Sequence, residues 1–368
     1  MLSHLQLLLT TNRSEELSMT YIRPNFRHPD LPKNDLGLTM KDYEGALSTL
    51  CAGCGHDSIT NSIIHSCFEL SLEPHRIAKM SGIGCSSKTP AYYLGKSHGF
   101  NSVHGRMPSV TTGANMANRD LLYIGVSGDG DTASIGFGQF GHAVRRNLNM
   151  VYIVMNNGVY GLTKGQDSAT ADVGSASKKG VPNKFESIDL CAMAIQLGSG
   201  FVARSFSGDK HQLVPLIKAA IAHQGFSFID IISPCVTFNN TPKSTKNYDF
   251  VREHIDATGT IDFVPVRDEI THSQAEGTTE SVTLHDGSVL QLHKGDENLD
   301  VRSRRAAVNA LEQHKHEGRI LTGLIYLDET SQDTHALFNT SDIPLNSMGK
   351  EQLSPLATEL DKINQSHR

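Results

Sequence analysis

The chain has 368 residues, of which 38% are hydrophobic and 20% charged, and its formal net charge is −6 at pH 7. This composition is typical of a globular protein with a sizeable core and excludes a disordered chain. The mild negative charge does not favour a nucleic-acid partner, and no apolar run reaches the roughly 18 residues that a membrane helix needs. We therefore expect a cytoplasmic protein with neither a nucleic-acid nor a membrane partner.

The first segment, residues 1–40, is predicted to be an N-terminal extension. Its first 18 residues contain one apolar patch, but no basic region and no small-residue cleavage site, so we predict no signal peptide. Sequence typical of folded structure begins only after Met19, which is a candidate alternative start. Without export, the cysteines are expected in a reducing compartment, where clustered cysteines are more often metal ligands than disulfides.

Strand and helix signals alternate through a domain predicted over residues 41–250. In chain order they predict a helix over 57–72 capped by Asp57 or Ser58, a strand over 76–83, a helix over 108–118, a strand over 121–128, a helix over 136–149, a strand over 150–157, helices over 185–198 and 211–224, and a strand over 226–234. The βαβ unit around residues 121–157 indicates an α/β fold with a mostly parallel sheet flanked by helices.

The remaining residues, 251–368, are predicted to form a C-terminal arm that packs on the main domain or on a partner. Alternating apolar residues over 276–294 surround Asp286-Gly287 and predict a hairpin. A polar helix is predicted over 302–318 and a strand over 321–329.

The turn 128-GDGDTA-133 follows a predicted strand and matches a dinucleotide-binding fingerprint. Asp129 would repel a pyrophosphate unless a cation lay between them, and the next strand ends in Asn156-Asn157 instead of an acidic residue for a ribose. Asp129 and Asn157 at neighbouring strand ends instead favour Mg²⁺ shared with a diphosphate, which the amides at the start of the following helix would also attract. A nicotinamide-dependent reductase and a purely structural turn remain alternatives.

The six cysteines fall into two groups. Cys67 and Cys191 lie on predicted helices and are expected in the core. The other four lie in a C-x-x-C pair or in turns after strands, which makes a plausible set of four thiolates: Cys51, Cys54, Cys85 and Cys235. Zinc and a [4Fe–4S] cluster both accept four thiolates, so the spacing alone leaves a zinc-stabilised binding module open.

Six motifs occur in a fixed order over about residues 40–245. They are CAGCGH (51–56), GIGCS (82–86), HGR (104–106), GDGD (128–131), NNGVYGLTKGQ (156–166) and SPC (233–235). This ordered set resembles the beta subunit of 2-oxoacid:ferredoxin oxidoreductases, the thiamine-diphosphate-binding chain, especially of the 2-oxoglutarate type. The C-terminal part matches that family weakly, and no roles are carried over there.

The resemblance implies a thiamine diphosphate-binding fold with Mg²⁺ and one [4Fe–4S] cluster. It also implies coenzyme A-linked oxidative decarboxylation of a 2-oxoacid with transfer of electrons to ferredoxin, or the reverse carboxylation of a reductive TCA cycle. The expected substrate is 2-oxoglutarate, with pyruvate or a broad range of 2-oxoacids as the alternative. An alpha subunit, in a heterotetramer of two alpha and two beta chains, is expected to supply the glutamate that thiamine needs.

Residue by residue, the resemblance assigns four kinds of site. The cluster ligands would be Cys51, Cys54, Cys85 and Cys235. The Mg²⁺ ligands would be Asp129, Asn157 and the carbonyl of Val159. The thiamine and its diphosphate would contact His56, Ile83, Gly84, Ser86, Gly128, Gly130, Asp131, Gly161 and Leu162. The catalytic candidates are Lys88, His104, Arg106 and Leu162. Lys88 is a candidate by its position and not by the resemblance: it lies three residues after Cys85, and its point charge would suit the second carboxylate of 2-oxoglutarate.

Overall fold

The structure, a computed structural model, describes residues 30–175, 181–239, 244–257, 279–283, 289–293, 299–354 and 356–368. The predictions for Met19 and for the Asp286-Gly287 turn lie outside these residues. Within the described part of the chain, none of the helices has the length and apolar character that crossing a membrane requires.

Strands and helices alternate along most of the described chain. The strands are β1 (Ile77–Ser81), β2 (His98–Asn101), β3 (Leu122–Gly128), β4 (Met150–Asn156), β5 (Val159–Tyr160), β6 (Gln166–Asp167), β7 (Phe201–Phe206), β8 (Phe226–Ile232), β9 (Ile255–Ala257), β10 (Thr279–Thr283), β11 (Val289–His293) and β12 (Ile320–Leu327). The helices are α1 (Gly55–Glu69), α2 (Met107–Ala117), α3 (Phe137–Arg145), α4 (Leu190–Leu197), α5 (Lys210–Ala222), α6 (Tyr248–His254), α7 (Arg304–His316), α8 (Thr334–Phe338), α9 (Lys350–Leu353) and α10 (Ala357–Ser366).

One eight-stranded sheet forms the centre of the fold, in the order β2-β1-β3-β4-β8-β7-β12-β9. The six strands from β2 to β7 are parallel, whereas β12 pairs antiparallel with β7 and β9 runs parallel to β12. The predicted mostly parallel α/β fold is therefore confirmed. Strand β12 belongs to the predicted C-terminal arm but is a strand of this sheet, and the boundary at residue 250 stays a prediction.

Helices cover both faces of the sheet and bury two hydrophobic cores. Strand β4 shows how the residues are divided between them, because successive side chains of a strand point to opposite faces. Tyr152 and Val154 pack with Phe140 of α3 on one face, whereas Ile153 packs with Ile217 of α5 on the other. Burying one such side chain stabilises the fold by about 1.5–3 kcal/mol, so a central strand covered on both faces contributes strongly to stability.

Most of the predicted elements are confirmed, and the differences have local causes. The predicted cap of the first helix at Asp57 or Ser58 is wrong, because α1 already begins at Gly55, directly after Cys54. Helix α3 is shorter than predicted, since residues Asp131–Ile135 form a wide helical turn before it. The elements that the sequence did not predict are β2, β5, β6, β7, α6, β9 and the short helices α8, α9 and α10.

Candidate cofactor site

The loops that follow β1, β3, β4 and β8 meet at one edge of the sheet, since the carboxyl ends of parallel strands share an edge. A pocket at this edge contains most of the predicted site. Its lining includes the predicted residues His56, Ile83, Gly84, Cys85, Ser86, His104, Gly128, Asp129, Gly130, Asp131, Asn157, Val159, Gly161 and Leu162. Their roles stay predictions, but the fold brings them to one place.

Asp129 follows β3 and is buried, with 1% of its surface exposed. Its Oδ1 accepts a hydrogen bond from the backbone amide of Asn157 at 3.2 Å, and its Oδ2 accepts hydrogen bonds from the hydroxyls of Ser168 and Thr170. Burial raises the pKa of Asp129, and these hydrogen bonds oppose the shift. Among the described contacts of Asp129 there is no ion pair. A buried carboxylate in this state gains stability from a bound cation.

Asn157 is the next oxygen donor, at the end of β4. Its Oδ1 accepts from the backbone amide of Val159 at 3.1 Å, and its carbonyl accepts from the side-chain amide of Asn239 at 2.7 Å. The intervening Gly158 has a φ of +70°, where a side chain would be strained and would meet Asn239. The carboxylate, the amide oxygen and the carbonyl of Val159 are hard oxygen donors of the kind that Mg²⁺ prefers, so these residues fit the ion.

Asp131 holds the loop that carries His104. Its Oδ1 accepts from the backbone amide of Gly105 at 2.8 Å and lies 2.9 Å from Nδ1 of His104. A Cβ on Gly82 would lie 1.8 Å from the Asp131 carboxylate, so only glycine fits there. His104 is 44% exposed at the pocket. This contact orients the imidazole ring of His104, with Nδ1 towards Asp131.

His56 lies in the first turn of α1 and lines the pocket. It is buried, and its Nδ1 is 2.6 Å from the hydroxyl of Ser233. Burial lowers the pKa of His56 to about 4. His56 is therefore neutral at pH 7, and one ring nitrogen is an acceptor while the other is a donor.

The four cysteines predicted as cluster ligands approach each other beside the pocket. A Cβ built on Gly161 would lie 3.5 Å from Sγ of Cys85 and 3.8 Å from Sγ of Cys235. Burial raises the pKa of Cys54 to about 11, with further contributions from Cys235 and Cys85, while the backbone amide of His56 opposes the shift. Burial also raises the pKa of Cys85, again with contributions from Cys235 and Cys51.

Ionising Cys54 or Cys85 is therefore unfavourable without a positive centre nearby. Thiolate sulfur is the ligand of zinc and of iron–sulfur clusters, so the residues fit either group by their chemistry. In the part of the chain that the structure describes, however, no three His, Cys, Asp or Glu side chains are already arranged as the ligands of one metal ion. Cys67 and Cys191 are fully buried in the two cores, as predicted.

Two predicted catalytic residues do not line the pocket. Arg106 donates to Oε1 of Gln139 at 3.1 Å on the surface. Lys88 is exposed on the short helical turn after Cys85 and lines a neighbouring groove with Lys79. Its charge acts on Cys85, whose pKa it lowers against the larger effect of burial.

Several residues at the site were not predicted from the sequence. Tyr160 packs its ring against Gly130 and donates to the carbonyl of that residue at 2.9 Å, so a side chain at position 130 would clash. Ser168, Thr170 and Asn239 hold Asp129 and Asn157, as described above. Tyr160 stands inside a quoted motif, but the other three lie in loops without a local pattern that would mark them.

The comparisons with known proteins agree with this geometry. Residues 82–231 match the family described as "Thiamine pyrophosphate enzyme, C-terminal TPP binding domain". A 2-oxoacid:ferredoxin oxidoreductase subunit beta from a Sulfolobus species is 42% identical over 191 residues, which cover 52% of this chain and 63% of that protein. A 2-oxoglutarate synthase subunit KorB from Methanocaldococcus jannaschii is 37% identical over 209 residues, which cover 55% of this chain and 77% of that protein.

A solved structure extends the likeness to nearly the whole chain. The 2-oxoglutarate:ferredoxin oxidoreductase from Magnetococcus marinus, with 2-oxoglutarate, coenzyme A and succinyl-CoA bound, superimposes with a TM-score of 0.69 at 28% identity. The match covers 92% of this chain and 98% of that chain. Among the sequence relatives, those from Sulfolobus, Saccharolobus solfataricus and Aeropyrum pernix are matched over less than two thirds of their own length.

Proposed function

The chain belongs to the beta subunits of the 2-oxoacid:ferredoxin oxidoreductases, and on this premise we propose that it is the thiamine-binding half of such an enzyme. The proposed reaction is coenzyme A-linked oxidative decarboxylation of a 2-oxoacid with transfer of electrons to a ferredoxin, or its reverse. The observation that carries the proposal is the juxtaposition of two donor sets. The oxygens of Asp129, Asn157 and Val159 line the same pocket as Cys85, whose sulfur lies near that of Cys235.

Asp129, Asn157 and the carbonyl of Val159 would hold Mg²⁺, which in turn would anchor the diphosphate of thiamine. The cluster would be held by Cys51, Cys54, Cys85 and Cys235. When bound, thiamine diphosphate supplies carbanion chemistry and the cluster supplies one-electron redox chemistry. The chain itself binds and orients: neutral His56 offers a hydrogen bond without adding charge, and Asp131 keeps His104 in one orientation at the pocket.

Gly161 supports the proposed closeness of the two groups. It lines the pocket together with Asp129 and Asn157, and it also stands next to the sulfurs of Cys85 and Cys235. Without a side chain at this position, no protein atom beyond the backbone separates the pocket from those two sulfurs there. Thiamine and the cluster would therefore lie close together, and a short separation favours electron transfer between them.

We expect this chain alone to be unable to decarboxylate a 2-oxoacid. The pocket is open to solvent at His104 and Leu162, and its described lining contains Asp129 and Asp131 but no glutamate. The activating glutamate would come from an alpha subunit, in a complex of two alpha and two beta chains in the cytoplasm. The measurement is the reduction of ferredoxin or viologen in the presence of a 2-oxoacid and coenzyme A. Two samples are compared: the single chain purified without air, and the chain co-purified with its partner.

Turnover by the single chain, loaded with thiamine diphosphate, would contradict the dependence on a partner. A visible spectrum of the same anaerobic sample separates the proposed class from its rivals. A brown protein whose broad visible band is partly bleached on reduction supports the cluster, whereas a colourless protein that contains zinc would favour a zinc-stabilised binding module. Binding of a nicotinamide cofactor in place of thiamine diphosphate would favour a reductase.

For the substrate, we propose 2-oxoglutarate, with pyruvate or a broad range of 2-oxoacids as the alternative. A pocket for 2-oxoglutarate must hold a second carboxylate, and the ammonium group of a lysine is suited to this. Lys88 is exposed on the turn that follows Cys85, and it lines the neighbouring groove. A hydrogen bond to a charged group contributes roughly 1.5–3 kcal/mol, which corresponds to about ten- to a hundredfold in kcat/KM. Lys88→Ala in the assembled complex should therefore lower kcat/KM for 2-oxoglutarate by at least roughly tenfold and largely spare 2-oxobutyrate.

Lys96→Ala is a matched control, because Lys96 is also exposed but pairs with Asp42 at 3.4 Å, away from the pocket. An equal loss for both substrates in Lys88→Ala would show that Lys88 does not recognise the second carboxylate. Such a uniform loss is the result expected if its charge acts only on Cys85.

A further inference from the structure

The two carboxylate oxygens of Asp129 have different environments. Oδ2 accepts from the hydroxyl of Thr170 at 2.7 Å and from the hydroxyl of Ser168, and these two hydroxyls lie 3.0 Å apart. Oδ1 accepts from the backbone amide of Asn157 at 3.2 Å. Each carboxylate oxygen has about two lone-pair sites. Oδ2 therefore accepts from two side-chain hydroxyls and Oδ1 from none, while the backbone amide of Asp129 is a further donor to this carboxylate.

The hydroxyl groups sit on buried side chains. Ser168 and Thr170 follow β6, and only 6% and 1% of their surfaces are exposed. They lie in a turn closed by a hydrogen bond from the amide of Ala171 to the carbonyl of Ser168 at 3.1 Å, and this turn brings both hydroxyls to Asp129 at the end of β3. A donor that is buried and packed in this way loses little freedom when it holds a carboxylate, so it can fix one orientation of Asp129.

A chain of polar groups lies behind Thr170. Its hydroxyl also lies 3.0 Å from Oδ1 of Asn156, whose amide donates to Asp230 at 3.0 Å. Asp230 in turn accepts from Nε of Arg204 at 3.0 Å. Thr170 has a single hydroxyl proton for two acceptors, and the closer, charged acceptor is Asp129. Oδ1 of Asn156 therefore only competes for this proton, and the shorter hydrogen bond to Asp129 is the one that orients the Thr170 hydroxyl.

We propose that Ser168 and Thr170 are positioning residues, which hold Oδ2 of Asp129 so that Oδ1 is presented to the bound cation. The inference rests on the proposed function, because it requires Asp129 to bind Mg²⁺. Groups that hold a metal ligand by hydrogen bonds typically contribute about 10–100-fold to metal affinity. Loss of either hydroxyl should weaken Mg²⁺ binding by an amount in this range, without removing any ligand of the ion.

The test measures the Mg²⁺ concentration at which half of the purified complex retains thiamine diphosphate. Thr170→Val keeps the shape of the side chain but removes the hydroxyl, and it should raise this concentration about 10–100-fold. Thr170→Ser restores the hydroxyl and should return the value to within about threefold of the wild type. Thr112→Val is the control, because the Thr112 hydroxyl donates only to the carbonyl of Pro108 on α2.

A second variant and a second readout make the result decisive. Ser168→Ala removes the other donor to the same oxygen, and it should weaken Mg²⁺ binding in the same range even if Thr170→Val does not fold. Thermal denaturation without metal separates positioning from simple packing, since a packing role would lower the melting temperature and leave the Mg²⁺ affinity unchanged. Unchanged affinity in Thr170→Val and Ser168→Ala would overturn this inference alone. A wild-type complex without Mg²⁺-dependent binding would overturn the proposed function and this inference together.

Discussion

Asp129→Ala is expected to abolish Mg²⁺-dependent retention of thiamine diphosphate. The substitution removes the one charged oxygen donor of the proposed ion site and leaves the diphosphate facing the pocket without its cation. Since groups that merely hold a metal ligand contribute about 10–100-fold to affinity, loss of the ligand itself should cost more than about 100-fold. The measurement is the thiamine diphosphate content of the purified complex at a series of Mg²⁺ concentrations.

Two further variants show whether charge or shape is responsible. Asp129→Asn keeps the volume and an oxygen that can accept from Ser168 and Thr170 but removes the charge, so it should also lose the cofactor. Asp120→Ala is the matched control, because Asp120 is exposed just before β3, at the strand end opposite the pocket. The iron content should stay nearly unchanged in all three variants. If Asp129→Ala binds thiamine diphosphate as the wild type does, the GDG turn has a purely structural role and the proposed ion site is wrong.

The predictable parts of the fold are the elements that are specified by residues close together in the sequence. Strand β4 and the strand before it consist of apolar runs that end in Gly128 and Asn156, so the βαβ unit could be predicted from the residues alone. Strand β7 was missed because Arg204 stands in its centre and resembles a surface residue. In the folded protein Arg204 pairs with Asp189 at 2.7 Å and Asp230 at 3.0 Å. These partners lie 15 and 26 residues away, and no local pattern reveals such a pairing.

The same distinction applies to the site. The glycines, the cysteines and Asp129 belong to short motifs, so they could be recognised from the sequence. Ser168, Thr170 and Asn239 reach Asp129 and Asn157 only because the loops after β6 and β8 fold back over the sheet edge. Arg106 has a side chain suited to binding anions, yet it lies on the surface with Gln139. A residue type can therefore indicate a suitable chemistry, but its position depends on contacts that are distant in the sequence.

The second large effect is expected at the four loop cysteines. Each single change to alanine, Cys51→Ala, Cys54→Ala, Cys85→Ala or Cys235→Ala, should remove most of the iron and the visible absorption band. Four thiolates are needed to complete the ligand set of one [4Fe–4S] cluster. Burial, with the neighbouring thiols, raises the pKa of Cys54 and Cys85, so these two become thiolates only beside a positive centre such as the iron. The measurement is iron and sulfide content, with the visible spectrum, of protein purified without air.

The two remaining cysteines are matched controls of the same residue type. Cys67→Ala and Cys191→Ala each remove one buried sulfur from a hydrophobic core and should lower stability while keeping the iron. Comparing iron per folded protein, instead of total yield, separates these two effects. If Cys191→Ala bleaches the protein and Cys235→Ala does not, the ligand assignment is wrong. If all six variants keep the visible band, the colour does not come from a cluster on these cysteines, and the proposed closeness of the thiamine and cluster sites at Gly161 loses its basis.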